Sequence, residues 1–347
     1  MAKKNISFKL KQLTKKLLKE LNDRSQYVIT KRFGLHKGGD VLTLEAIGQE
    51  YGITRERVRQ IEKMALKAIR SSSTFAEVEH IMHELKDIIT SMGGIVEESH
   101  LLSSLSKDPE EQNHIHLYLH LGDHFEKLKE DKHYQARWVI KGETASRIEK
   151  ALKDIHDALD HHELIPEDEI IDRILCHDGV CEVLTTNYQT SENAQGWLKI
   201  SKKLDKNELG EWGRAASPNV RARGVKDYAY LVMRKHGSPM HFREVAEAIE
   251  KTFNRKTHTA TCHNELIKDN RFVLVGRGVY ALKEWGYKGG VVRDVIREII
   301  EKEGPLSKEE IVDHVLKERY LKKNTILVNL QNSKYFVKDD NGLYRLA

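Results

Sequence analysis

The last third of the chain contains two units that align with each other. One aligned pair is VKDYAYLVMRKHGSPMHFREVAEAIE (225–250) with VRDVIREIIEKEGPLSKEEIVDHVLK (292–317). The other is NELIKDNRFVLVGRGVYAL (264–282) with VNLQNSKYFVKDDNGLYRL (328–346). Repeated segments of this size indicate one small structural unit used more than once. The chain is therefore expected to be a row of small domains rather than one body around a single core.

Each aligned unit has the pattern of three helices followed by a β-hairpin. Apolar residues recur at helical spacing, and a Gly/Pro turn separates the first two helices. The hairpin turns are GRG (276–278) and DDNG (339–342), where glycine supplies the positive φ of a tight turn. Three helices and a hairpin make a winged-helix domain. Apolar positions that match 64 residues apart are Leu266, Phe272, Tyr280 and Leu282 with Leu330, Phe336, Tyr344 and Leu346.

Two weaker copies of the pattern precede the aligned units. The fold class is therefore mainly α with small β-hairpin wings (α+β), with an N-terminal helix-turn-helix followed by tandem winged-helix domains. The predicted linker before the aligned units is RAASPNVRARG (214–224), and GYKGG (286–290) is a shorter joint. The predicted domains are 1–72 (helix-turn-helix), 75–142 (acidic, winged-helix-like), 144–216 (winged-helix-like), 222–287 (winged helix) and 288–347 (winged helix).

The segment TLEAIGQEYGITRERVRQIEKMALKAIR (43–70) has the proportions of a helix-turn-helix. A short helix begins at Thr43, the turn contains Gly52, and Thr54 is the predicted N-cap of a longer helix ending near Arg70. In such a motif the second helix enters the major groove of DNA N-terminus first. The predicted inward stripe consists of Ile47, Ile53, Val58, Ile61, Ala65, Leu66 and Ile69.

The outward residues of the longer helix have the chemistry for reading base edges. They are Arg55, Glu56, Arg59, Gln60 and Lys63. Arginine can bind guanine bidentately, glutamine can bind adenine, and glutamate can accept from cytosine. Arg57, Lys67 and Arg70 are better placed for phosphates. The alternative is a solvated face on which Glu56 and Glu62 pair with neighbouring basic side chains.

Charge is segregated along the chain, and its distribution favours the DNA interpretation. Residues 1–72 hold 17 Lys/Arg and 7 Asp/Glu, residues 73–172 hold 10 and 23, and residues 173–347 hold 31 and 23. A basic N-terminal module is the electrostatic signature of a polyanion-binding surface. The acidic middle is expected to face solvent or a basic protein surface, because nucleic acid would repel it.

The N-terminal module resembles region 4 of primary bacterial sigma factors. The resemblance is carried by LNDRSQYVITKRFGL and TLEAIGQEYGITRERVRQIEKMALKAIR, within residues 10–70. It implies recognition of a promoter −35 element and docking on the flap of the RNA polymerase β subunit. Met64 stands where the family usually has lysine. Arg55, Glu56, Arg59 and Gln60 match the base- and phosphate-contacting positions, and Thr43 and Leu44 match backbone contacts.

A full primary sigma factor also carries a region 2 that melts the −10 element. Only about nine residues precede the motif, so the chain is expected to keep the −35/flap module without the melting region. HGSPMHFREVAEAIE and HNELIKDNRFVLVGRGVYALKEWGY (236–287) resemble the HARE-type winged helix, which occurs in the polymerase delta subunit of some bacteria and in eukaryotic chromatin-associated proteins. Basic residues that would allow these last copies to contact DNA are Arg277, Lys322, Lys323, Lys334 and Lys338.

Signals for catalysis, metal or membrane binding are weak. Cys176 and Cys181 in CHDGVC have no second matched pair, so thiols are favoured over a zinc site. No catalytic residue, cofactor or small-molecule substrate is predicted, and the chain is not expected to be an enzyme. Three cysteines, no signal peptide and no stretch of ~20 apolar residues indicate a cytoplasmic protein without a membrane partner.

The favoured function is a DNA-binding bacterial transcription factor whose partners are double-stranded promoter DNA and the RNA polymerase core. One alternative is an architectural or nucleoid protein that binds duplex DNA without polymerase. Another is a polymerase-binding adaptor that does not read DNA. The candidate DNA-binding residues are Thr43, Leu44, Arg55, Glu56, Arg57, Arg59, Gln60 and Lys63.

Overall fold

The computed structural model describes residues 10–140, 142–181, 188–287, 291–318, 322–339 and 341–347. Parts of the predicted joint GYKGG and of the turn DDNG, and residues 1–9 of the first predicted domain, lie outside the described residues. The architecture is mainly helical with small antiparallel sheets, which confirms the predicted fold class. The chain forms two compact units, Met1–Lys206 with Gly210–Ala215, and Asn207–Leu209 with Ala216–Ala347.

The first unit begins with four helices. Asn22 caps the second of them by accepting the backbone N–H of Ser25, and Gly34 ends it with φ 64°. The interruption at Asn22 divides the apolar pattern of residues 8–35 into two helices. The four are α1 (Leu10–Leu18), α2 (Asp23–Phe33), α3 (Leu44–Tyr51) and α4 (Arg55–Arg70).

The first winged-helix copy follows with almost no connection, because Ser72 is already the N-cap residue of the next helix. Its sheet is antiparallel, in the order β1-β3-β2. The elements are α5 (Ser73–Ser91), β1 (Ile95–Glu97), α6 (Glu98–Leu105), α7 (Pro109–Leu121), β2 (Phe125–Leu128) and β3 (Arg137–Ile140).

The second copy completes this unit. Its two strands pair with Leu204 opposite Arg214. The elements are α8 (Thr144–Ala158), α9 (Glu167–Leu175), α10 (Asp178–Cys181), α11 (Ser191–Leu198), β4 (Leu204–Lys206) and β5 (Trp212–Arg214).

The second unit holds the two aligned copies. Their matched apolar residues lie in the cores: Leu266 and Phe272 are buried, as are Leu330 and Phe336. The elements are α12 (Val225–His236), β6 (Met240–His241), α13 (Phe242–Phe253), α14 (Thr259–Lys268), β7 (Phe272–Gly276), β8 (Val279–Leu282), a 3-10 turn (Lys283–Trp285), α15 (Val292–Glu303), α16 (Lys308–Glu318), α17 (Lys323–Leu330), β9 (Phe336–Lys338) and β10 (Tyr344–Leu346).

Hydrophobic cores in the first unit cross the predicted domain bounds. Leu17, Phe33 and Ile69 of the N-terminal helices belong to the same core as Leu85 and Leu117 of the first winged-helix copy. The helix-turn-helix and the acidic copy therefore pack as one body. The domain bounds derived from the sequence stay a prediction.

The predicted linker at 214–224 contains the boundary between the two compact units, at Ala215 and Ala216. The segment is nevertheless packed, because Ser217 and Asn219 are completely buried. The Asn219 backbone N–H donates to Ser217 Oγ. This segment is an ordered turn rather than an extended tether.

Candidate nucleic-acid interface

Side-chain caps fix the start of both helices in the helix-turn-helix. Thr43 Oγ1 accepts the backbone N–H of Ala46 at 3.1 Å, and Thr54 Oγ1 accepts that of Arg57 at 3.2 Å. Each cap satisfies a backbone donor that the first helical turn leaves unpaired. The predicted helix starts are therefore confirmed, and α4 presents a defined N-terminus.

Two glycines shape the turn between these helices. Gly52 ends α3 with φ 63°, a backbone conformation that favours glycine. A β-carbon on Gly48 would lie 2.7 Å from the carbonyl oxygen of Ile53. The lack of a side chain at Gly48 therefore lets the turn approach α3 closely, which sets how the two helices meet.

The apolar stripe of α4 is divided between two cores. Val58 and Ile61 pack with Ile47 and Val28 in a small core of the helix-turn-helix itself. Further along the helix, Ala65 and Ile69 are buried in the larger core shared with the acidic copy, while Ile53 and Leu66 are half-buried. Packing therefore holds α4 along its inner side and leaves its other side in solvent.

The outer face of α4 is exposed and ordered by its own side-chain pairs. Arg59 donates to both carboxylate oxygens of Glu56, at 2.8 and 2.6 Å, and Arg57 Nη1 donates to Gln60 Oε1 at 3.1 Å. The hydrogen bond from Arg59 holds the pKa of Glu56 below its usual range. The expected base-reading residues Arg55, Glu56, Arg59, Gln60 and Lys63 all lie exposed on this helix, together with Arg57.

This pairing reconciles the two interpretations that the sequence left open. Exposed pairs at this spacing contribute only about 0.3–0.5 kcal/mol, so they order the face without locking it. Such weak pairs can open to accept base edges or phosphates.

The two candidate residues at the start of α3 have structural partners. Thr43 is exposed and caps the helix, while Leu44 is half-buried against the small core. Their assignment as DNA backbone contacts stays a prediction. Arg70 was expected to face phosphates, but its guanidinium instead donates to the carbonyl oxygens of Leu121 and His120 at the end of α7.

Two features of this surface were not expected from the sequence. An open groove of about 500 Å³ is lined by Gly48, Gln49, Gly52, Ile53, Thr54 and Arg57, where α3 meets α4. Met64 is 68% exposed and lies one helical turn after Gln60. The replacement of the family's lysine was the sequence signal for Met64, whereas the groove depends on the angle between helices.

The first two winged-helix copies use their third helices and the first wing for internal packing. The third helix of the first copy, α7, contacts α1 and α2, and Asn113 on it donates to the carbonyl oxygens of Gly34 and Gly39. The wing between β2 and β3 is bound by the second copy: Gln135 N–H donates to the Ile200 carbonyl oxygen. These are the elements with which a winged helix would contact a duplex.

The third helix of the second copy, α11, is also engaged. Trp197 on α11 is fully buried and donates its indole N–H to the Gly93 carbonyl oxygen at 3.3 Å. The acidic and second copies therefore serve as packing elements for the N-terminal helices.

The aligned copies in the second unit have exposed third helices and wings. Asn264 and Lys268 on α14 are exposed, as is Arg277 in the adjacent hairpin turn. The exposed basic side chains of the last copy, before α17 and along its hairpin, are Lys322, Lys323, Lys334 and Lys338.

Known families match the two segments whose sequences suggested them. A family model described as Sigma-70, region 4 matches residues 17–71. Residues 17–71 are a sigma-70 region 4 module. A second family model, HARE-HTH, described as an HTH domain of ASXL and restriction endonuclease proteins, matches residues 223–285 and identifies them as such a domain. Both resemblances are thereby confirmed.

Two curated relatives match the region 4 module. They are the RNA polymerase sigma factor RpoD of Helicobacter pylori strain 26695 and that of strain J99. Each is 50% identical over 62 residues, which is 18% of this chain and 9% of the relative. The similarity therefore concerns one module of those proteins.

Metal and membrane sites were also considered for the described residues. These residues bring no three His, Cys, Asp or Glu side chains into an arrangement that could hold a metal ion. None of the helices in the described ranges combines the length and apolar composition that crossing a membrane requires.

Proposed function

We propose that this protein binds duplex promoter DNA through its region 4 module and recognises a −35-like element. The observation that carries the proposal is the exposed face of α4, where Arg55, Glu56, Arg59, Gln60 and Lys63 lie beyond a capped N-terminus. These residue types can distinguish base pairs in the major groove. The anchoring of the opposite face holds the helix in one orientation.

The RNA polymerase core is the second proposed partner. The similarity of residues 17–71 to sigma factor region 4 supports it. Part of the module's apolar surface is covered from within the chain, because Leu17, Phe33 and Ile69 pack against the acidic copy. Polymerase would therefore bind a surface of the module that this internal packing leaves free.

The second unit would add a further contact with the promoter or the polymerase. Its exposed basic helices and wings support a duplex contact, whereas the corresponding elements of the first unit are largely engaged in packing. In this view, the first two copies support the reading helix and the last two extend the bound surface.

The decisive test is base-specific binding by variants of α4. Arg55→Ala and Gln60→Ala are expected to weaken binding to a −35-like duplex by about 1–3 kcal/mol each, because each removes a base contact. Affinity for a scrambled duplex should change much less. Fluorescence anisotropy with both duplexes at fixed salt measures the difference.

Arg297→Ala is the matched control, since Arg297 is an exposed helical arginine in an i,i+4 pair with Glu301, away from region 4. Equal wild-type affinity for both duplexes would favour the architectural alternative. Retention of core polymerase by an Arg55, Arg59 and Gln60 triple-alanine variant, with no specific DNA binding in the wild type, would favour the adaptor.

A further inference from the structure

Two exposed cysteines lie close together at a corner of the second winged-helix copy. Cys176 follows the last residue of α9, and Cys181 is the last residue of α10. The thiol of Cys181 is directed back toward the first cysteine, with Sγ 3.7 Å from the Cys176 carbonyl oxygen. Since a carbonyl oxygen lies about 2.4 Å from its own Cα, this Sγ is at most about 6 Å from the Cα of Cys176. A disulfide spans distances of this order.

The backbone that carries both thiols is already folded into a tight corner. The N–H groups of Val180 and Cys181 both donate to the His177 carbonyl oxygen, at 2.7 and 2.9 Å. Val180 is fully buried in the core of this copy, and the Gln189 side chain donates to the Cys181 carbonyl oxygen. Bringing the two sulfur atoms together therefore requires side-chain rotation rather than unfolding of the corner.

We propose that Cys176 and Cys181 form a reversible redox pair that small-molecule disulfides oxidise to an intramolecular disulfide. One cysteine thiolate attacks a sulfur of the small disulfide, whose S–S bond breaks and releases one thiolate. The second cysteine thiolate then attacks the mixed disulfide and releases the other. The two departing thiolates take up the two protons, so the protein loses two hydrogens and the reagent becomes two thiols.

The third cysteine provides a contrast within the same chain. Cys262 is buried on α14, and burial raises the pKa of its thiol to about 11. A thiol reacts through its thiolate, which becomes tenfold scarcer at neutral pH for each unit by which the pKa rises. Cys262 is therefore the inert reference against which the exposed pair is measured.

The test treats the full-length, reduced protein with oxidised glutathione at neutral pH. Intact mass is expected to show the loss of two hydrogens with no glutathione retained. A non-reduced peptide map is expected to join Cys176 to Cys181. Dithiothreitol should restore the original mass and both reactive thiols.

Single variants separate the pair from ordinary surface thiols. Cys176→Ser and Cys181→Ser should each retain one glutathione as a stable adduct, because the resolving thiol is missing. Cys262→Ser should behave as wild type. A stable glutathione adduct on the wild-type protein, or a disulfide-linked dimer on a non-reducing gel, would overturn the proposal.

Discussion

His120 has an unusual environment where α7 meets the N-terminal helices. Its ring makes edge contacts with Phe33, His116 and Trp138. Burial, followed by repulsion from His116 and Lys127, lowers the pKa of His120 to about 3, although Glu98 opposes the shift. The neutral ring is therefore the form that fits the folded protein.

This environment predicts a loss of stability in mild acid. The folded pKa is lower than the unfolded value of 6.5, so the stabilisation is present above pH 6.5 and is lost as pH falls toward 3. Between pH 7 and pH 5, His120 is expected to lower the free energy of unfolding by about 2 kcal/mol. Urea denaturation at the two pH values measures this difference.

His120→Gln should reduce that pH dependence, whereas His161→Gln, an exposed control, should leave it unchanged. Glu98 does not obscure the comparison. Its pKa is lowered to about 2, with burial opposing the hydrogen bonds from His116 and Lys127, so its titration lies below this window. An unaltered pH dependence in His120→Gln would contradict the assignment.

At the scale of elements, the meeting of α3 and α4 depends on the absence of one side chain. Alanine is intrinsically a better helix former than glycine by about 1 kcal/mol. At Gly48 that advantage is reversed, because the new β-carbon would lie 2.7 Å from a backbone oxygen that cannot move independently. The structure of the turn therefore outweighs helix propensity at this residue.

Gly48→Ala is accordingly expected to lower the free energy of unfolding by about 1–3 kcal/mol, through steric strain. Gly196→Ala is the matched control on α11, since a β-carbon there meets nothing within 4 Å. This control should be neutral or stabilising by up to about 1 kcal/mol. Chemical denaturation of both variants provides the comparison, and equal effects would show that the close approach at Gly48 is unimportant.

For the whole molecule, the shared core makes region 4 dependent on the residues that follow it. A fragment of residues 1–72 would expose Leu17, Phe33 and Ile69, which the full chain buries. Such a fragment is expected to aggregate or to lack a cooperative thermal transition, because an exposed apolar patch of this kind is unstable in water.

A fragment of residues 1–215 is the matched control, since it keeps the complete first compact unit and should unfold cooperatively. Circular dichroism during heating distinguishes the two. A monomeric 1–72 fragment as stable as the longer one would show that the shared core contributes little.

The whole molecule also determines how salt affects the proposed DNA binding. If region 4 and the exposed basic side chains neutralise about five phosphates, log K should fall with log salt at a slope of about −4 to −5. Lys67→Ala should reduce that slope by about 1 and weaken all sequences equally. A slope near zero would argue against phosphate neutralisation as the source of affinity.

Local patterns were sufficient to predict the helix-turn-helix from the sequence. Thr43, Thr54 and Gly52 mark helix ends through their own backbone and side-chain chemistry, and apolar spacing identifies the buried stripe. The exposure of Arg55, Arg59 and Gln60 follows directly from that periodicity. For the same reason, the two aligned winged helices could be predicted, since their matched apolar positions carry the fold.

The tertiary structure alone decided which of these surfaces remain available. No local pattern indicates that Arg70 binds the carbonyl end of α7, or that the wing near Gln135 pairs with the second copy. Such contacts join residues distant in the sequence and depend on how separately folded elements fill one another's apolar faces. The sequence by itself thus determined the reading helix and the repeated units. Packing between distant segments decided which units support that helix and which remain exposed.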